Sequence, residues 1–206
     1  MKEVDLSVKD AYYSQVNNSY LAMSSCMRTA EVMFLIYNGV QVIEAGTKFE
    51  NNRPFIIYPK GMQPEDFLTA LTESPWGYEL RNAISWAANQ SIQPGQVHVV
   101  IAEIVNNLVG KPVDRFVNTN DITILFNELF NKRSVMTSGR FTPTGHAVCV
   151  CGYRLDDNNQ ITDLLVDDPY GDYFTNYASQ KGNNIWFPLD TFKKLWSGNL
   201  HLYIGG

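Results

Sequence analysis

Cys26 follows Ser24-Ser25 and precedes an apolar run, Val32-Met33-Phe34-Leu35-Ile36-Tyr37. A helix opening at Cys26 presents unpaired N–H groups and the positive end of its dipole to the thiol. Both favour the thiolate, so a cysteine placed there is predisposed to act as a nucleophile. The plainer alternative is a small apolar side chain filling the core. His146 supplies a matching base. It comes straight after Pro143-Thr144-Gly145 and opens a strand whose alternation puts His146, Val148 and Val150 on one face. A hairpin turn centred on Asp157 would set Asp168 directly opposite His146, with the two Cβ atoms about 5 Å apart. A carboxylate there could hold the imidazole tautomer and stabilise the imidazolium. Asp167 would face the other way, into solvent. Taken singly, His146 also reads as a hydrogen-bonded, half-buried histidine, and Asp168-Pro169 as the opening of a turn.

Other chemistries find less support. His98, His146 and His201 are scattered along the chain and no H-E-x-x-H occurs. Cys149 and Cys151 share the strand face opposite to His146, without a second cysteine pair to complete a zinc site, and read as core. Glycines never cluster before a helix, so no phosphate-binding loop or dinucleotide fingerprint is present. Neither a metal nor an organic cofactor is expected. Gly205-Gly206 reads as a frayed end rather than a conjugation tail.

The elements that must position these residues follow from periodicity and punctuation. A helix is expected over Cys26–Asn38, with Ser24 or Ser25 as N-cap and Gly39 as its stop. It is apolar nearly all round and therefore buried on most sides. Further helices are expected near Pro64–Glu73, Trp76–Asn89, Pro94–Leu108 and Asp121–Lys132. After Lys132 the pattern turns to strands at Val135–Thr137, Ala147–Tyr153, Ile161–Val166, Ile185–Phe187 and Leu200–Ile204. Phe55–Tyr58 and Val113–Val117 are candidates for short extra strands. A helical first part and a mainly β second part make an α+β domain, and nothing divides residues 1–206 into two.

Composition narrows the class. The 206 residues are 45% hydrophobic and 18% charged, with nineteen asparagines carrying much of the polarity. A disordered chain, a collagen and a coiled coil are excluded. A net charge of −5 argues against a nucleic-acid-binding stripe and against electrostatic capture by an anionic membrane or wall polymer. Three cysteines make no disulfide framework and fit a reducing cytoplasm. The start, Met1-Lys2-Glu3-Val4-Asp5-Leu6, has no signal-peptide run, and the Val32–Tyr37 stretch is far too short to span a bilayer. The expectation is a soluble cytoplasmic protein.

Ser14-Gln15-x-x-Asn18, Cys26-x-x-Thr29, Gly145-His146-x-Val148-x-Val150-x-Gly152-Tyr153 and Asp168-Pro169-Tyr170-Gly171-Asp172 together resemble the papain-like cysteine peptidases of the bacteriocin-leader-peptidase branch. The spacing, with the later Tyr177 and Gly182, is most similar to phage-borne members, several of them cell-wall lytic. The resemblance covers about residues 14–39 and 134–187 and leaves the middle helices unmatched. It implies a nucleophile helix packed on a C-terminal antiparallel sheet, with Cys26 as nucleophile, His146 as base and then acid, and Asp168 as orienter. It also implies an upstream amide as oxyanion donor, either Gln15 or Asn18, with Gln15 slightly favoured, beside the Cys26 backbone N–H. The chain departs from the family at Met27-Arg28, where Gly-Pro or other small residues are commoner. The implied function is a phage endolysin, a monomer that cuts a peptide bond in the stem or cross-bridge of peptidoglycan after release through the inner membrane by another protein. Processing of a virion or host protein is the alternative enzyme reading, and a low-activity binding module of the same fold is the alternative of another class.

Overall fold

The computed structural model describes residues 2–87 and 96–205. Strand β1 (Lys2–Asp5) leads, through two short 3-10 turns at Gln15–Asn17 and Ala22–Ser24, into helix α1 (Cys26–Tyr37). A small parallel pair, β2 (Gln41–Glu44) and β3 (Phe55–Tyr58), precedes helices α2 (Pro64–Thr72), α3 (Pro75–Ala87) and α4 (Gln96–Val109). Then come β4 (Asp114–Asn118), α5 (Thr123–Phe130), β5 (Val135–Gly139), β6 (His146–Leu155), β7 (Ile161–Asp167), β8 (Ile185–Pro188), α6 (Leu189–Leu195) and β9 (Trp196–Tyr203). The expected helices and strands are present within a few residues. The ends placed at Asn89 and Pro94, and the final Gly206, lie outside the described residues. The α+β architecture stands, with β1, β2 and α6 as additions.

The main sheet is antiparallel, in the order β4-β9-β5-β6-β7-β8. The ten-residue β6 shares one edge between two partners: β5 pairs with His146–Val150 and β1 with Gly152–Leu155. Gly152 makes the second pairing possible, because a Cβ there would stand 2.2 Å from the Val4 carbonyl oxygen. Each sheet face carries its own core. Phe34, Met33, Met136, Ala147, Cys149, Cys151 and Leu165 fill one side beneath α1, with Ile101 and Val105 of α4. Val148, Val150, Val166, Phe187, Leu200 and Leu202 fill the other, with Leu125 and Leu129 of α5 and Phe192 of α6. Val32 to Leu35 of α1 are fully buried. Each such side chain contributes about 1.5–3 kcal/mol, which pins the helix start where its packing puts it. Among the described residues no helix is long and apolar enough to cross a membrane.

The hairpin register differs from expectation. Cys149 pairs with Asp167 and Val150 with Val166, two residues away from the pairing that would set Asp168 opposite His146. Irregularities between Val150 and Gly152 and between Arg154 and Leu155 shift the strands past each other. A shift of two preserves the alternation of faces. Asp167 and Asp168 therefore still diverge, but Asp167 does not reach solvent. It is buried, accepting from the Tyr37 hydroxyl at 2.5 Å and from the Asn184 N–H at 2.6 Å. The helix above that face takes up the carboxylate that alternation alone assigned to water.

Candidate active site

Cys26 is the first residue of α1, and Ser25 before it makes no side-chain cap. The Cys26 side chain borders the same two cavities as His146. Burial pushes this thiol up, but the hydrogen bond and charge of His146, the Ala147 backbone N–H and the Arg28 guanidinium outweigh it. Its pKa lies below the ordinary cysteine value. Burial opposes the charge on His146 too, and the Asp168 carboxylate beside it reverses the balance, so the imidazole is pushed up to about 10. The two shifts act together, each group favouring the charged form of the other.

His146 Nε2 lies 2.6 Å from Asp168 Oδ1, both side chains buried. The Tyr170 N–H donates to that oxygen at 2.9 Å, and the Tyr177 hydroxyl lies 3.2 Å from Oδ2. The Asp168 backbone is clamped as well: its N–H donates to Gly182 O at 2.8 Å and its carbonyl accepts from the Tyr12 hydroxyl at 2.9 Å. Gly182 must be glycine, since a Cβ there would stand 1.9 Å from the Asp168 carbonyl oxygen. Tyr170 and Tyr177 pack edge-on to the His146 ring. Sequence reasoning missed Tyr12, whose partners lie more than 150 residues away.

The two upstream amides separate clearly. Gln15 is tied to the same corner by its backbone N–H, which donates to Pro169 O at 2.9 Å. Its side-chain amide donates to Ala22 O at 2.9 Å and borders a cavity of about 520 Å³ with Cys26 and His146. One amide proton is thus spent on positioning; the amide keeps a second N–H, and its Oε1 is buried without a hydrogen-bond partner. Asn18 is instead enclosed among Ser14 O, Ser25, Thr29 and Glu65 and does not line that cavity. Arg28 turns away from the cleft to Glu73 and Thr72 of the α2 end, while Met27 borders a second cavity of about 330 Å³. The large residues after the cysteine therefore leave the aromatic cavity open. Its far wall is Tyr170, Tyr173, Phe174 and Tyr177.

Cys149 and Cys151 are fully buried in the core under α1, and burial pushes both thiols well above the ordinary value. The histidines that look scattered in sequence are not all apart: His98 Nδ1 and His201 Nε2 are 2.9 Å from each other, on the sheet face beneath α1 and α4.

No family model matches the chain, and no curated protein matches its sequence. Among solved structures, one described as "putative C39-like peptidase from Bacillus anthracis" superposes with a TM-score of 0.53 at 13% identity, covering 100% of this chain and 99% of that one. That likeness is one of fold, and the fold is the papain-like one that the sequence motifs imply. UfSP from C. elegans reaches a TM-score of 0.35 at 22% identity, over 63% of this chain and 25% of that one, too loose to carry an argument.

Proposed function

We propose that the chain is a cysteine peptidase that hydrolyses amide bonds through Cys26, His146 and Asp168. The observation that carries this reading is the 2.6 Å contact of His146 with buried Asp168, beside a thiol held below its ordinary pKa. The Cys26 sulfur attacks the substrate carbonyl as thiolate, its proton resting on His146. The Gln15 side-chain amide and the Cys26 backbone N–H hold the oxyanion that forms. The tetrahedral intermediate collapses, the amine departs with the proton from His146, and the acyl group stays on sulfur. Water, deprotonated by His146, then hydrolyses the thioester. Asp168 keeps Nε2–H pointing at itself, which leaves Nδ1 for the sulfur and the leaving amine.

We further propose a peptide bond in the stem or cross-bridge of peptidoglycan as substrate, cut in the manner of a phage endolysin. Support comes from the phage-like stretch Asp168–Gly182, which also supplies the aromatic wall of the larger cavity. Zymography on purified cell walls, with Cys26→Ala protein alongside, tests this directly. A cleared band that vanishes in the variant supports lysis, and mass spectrometry of fragments from defined muropeptides then identifies the bond. No clearing with a reactive thiol still present would move the substrate to a virion or host protein. No reactive thiol would contradict the peptidase reading and leave a binding module.

A further inference from the structure

Five residues beyond Cys26 on the same helix, Glu31 is completely buried. It meets Asp114 from the start of β4 and His201 from β9, both buried as well. Ligand-type atoms of the three lie within 4.8 Å of one another. His201 Nδ1 is 2.7 Å from Asp114 Oδ2 and 3.5 Å from Glu31 Oε2. No N–H or O–H donor reaches either oxygen of Glu31 or Oδ1 of Asp114. Among the described residues no lysine or arginine pairs with either carboxyl group; the imidazole of His201 is the basic side chain beside them. Two carboxyl groups in a dry interior, with both Glu31 oxygens and Asp114 Oδ1 unpaired, cost several kcal/mol unless a proton or a metal cation sits between them.

We propose that Glu31, Asp114 and His201 form a structural site for a divalent transition-metal ion of the zinc kind. One imidazole nitrogen and two carboxylate oxygens are three ligands of the zinc kind, the unpaired Glu31 Oε1 or Asp114 Oδ1 is free to serve as the fourth, and the imidazole disfavours Mg²⁺ and Ca²⁺. Ligand atoms each about 2.0–2.1 Å from a tetrahedral zinc ion stand about 3.3 Å apart. The separations of 2.7 and 3.5 Å bracket that value. The outer contacts suit it too. His201 Nε2 faces His98 Nδ1 at 2.9 Å, and a proton on Nε2 leaves Nδ1 bare for the ion. His98 Nε2 lies 3.1 Å from Ser138 Oγ, and its ring stacks on Phe116. His98 and Ser138 border the second cavity with Cys26. The ion would thus tie the nucleophile helix to β4 and β9 and, through His98, steady one wall of the cleft. Because the site is closed, it fills during folding.

The test uses Cys26→Ala protein, which removes the accessible thiol as a competing ligand and makes the result independent of peptidase activity. The protein is unfolded in guanidinium, refolded with Zn²⁺, with Mg²⁺ or with EDTA, desalted, and analysed for bound metal and melting temperature. The expected result is about one Zn²⁺ per chain, no Mg²⁺, and a melt several degrees above the EDTA sample. Glu31→Gln/Asp114→Asn protein should retain no Zn²⁺ and melt alike in all three buffers. Zinc-edge X-ray absorption on the retained ion, which needs no variant, should show oxygen and imidazole ligands. Failure to retain Zn²⁺ would overturn the proposal and leave a proton shared by the carboxyl pair. Sulfur ligation, or equal retention by the double variant, would overturn it by placing the ion elsewhere.

Discussion

Asp167 and Asp168 are adjacent in sequence and serve opposite halves of the interior. Asp168 meets His146 on the cleft side; Asp167 meets Tyr37 of α1 and the Asn184 N–H. Asp168→Ala should therefore lower turnover on the order of 10²-fold or more, because the imidazolium loses its partner, and should also lower the melt, because the part-buried Tyr170 N–H loses its acceptor. Asp168→Asn should retain more turnover than Asp168→Ala, since an amide oxygen can still accept from Nε2–H. Asp167→Ala should keep turnover at low temperature while lowering the melt. It leaves the Asn184 N–H without its acceptor and the Tyr37 hydroxyl with the long 3.4 Å bond to Ala11 O, at about 1–3 kcal/mol for a buried group left unpaired. The upstream amides divide in the same way. Gln15→Ala should cost about 10²–10³ in rate, as the loss of an oxyanion donor typically does. Asn18→Ala should appear mainly as a lower melting temperature, because its side chain is spent inside the protein. Steady-state turnover and thermal melts of the five variants check every arm.

Glycine contacts connect the strands and loops to the site. Gly182→Ala would drive a methyl into the Asp168 carbonyl and displace the carboxylate that orients His146, so turnover should fall along with stability. Gly152→Ala would push on Val4 and loosen β1 from β6, far along the strand from His146, so the melt should fall while turnover at low temperature holds. Comparing the two by melting and kinetics separates support of the site from support of the sheet. The long helices and the strands of the second half were legible in sequence because periodicity and Gly or Pro punctuation are local signals. Strand β1 was not, since four residues of mixed polarity become a strand only through pairing with residues 150 positions away. The β6–β7 register was misread because bulges leave no local signature, yet alternation still assigned Asp168 to the His146 side.

At the scale of the whole molecule, the sheet, helix α1 and the Asp168–Gly182 loop converge on Cys26, His146 and Asp168. The candidate site was readable as Cys26, His146 and Asp168, whereas the clamp of Tyr12, Tyr170 and Gly182 around Asp168 depends on contacts between distant segments. The buried cluster of Glu31, Asp114, His98 and His201 was hidden for the same reason. The pH dependence follows from the paired shifts. Lowering the Cys26 pKa keeps the thiolate as pH falls below the ordinary thiol range, and raising that of His146 keeps the imidazolium until pH approaches about 10. A pH–rate profile should therefore show a broad plateau, falling on the acid side as the thiolate protonates and on the alkaline side as His146 loses its proton. The most direct measurement of the central claim is iodoacetamide labelling of the folded protein across pH, with each cysteine followed by mass spectrometry. Cys26 should label rapidly, hold its rate below the ordinary thiol pKa, and lose that acid-side reactivity in His146→Ala protein, while Cys149 and Cys151 stay unmodified. Equal labelling of all three cysteines, or a Cys26 rate that titrates like a free thiol and ignores His146, would contradict the account.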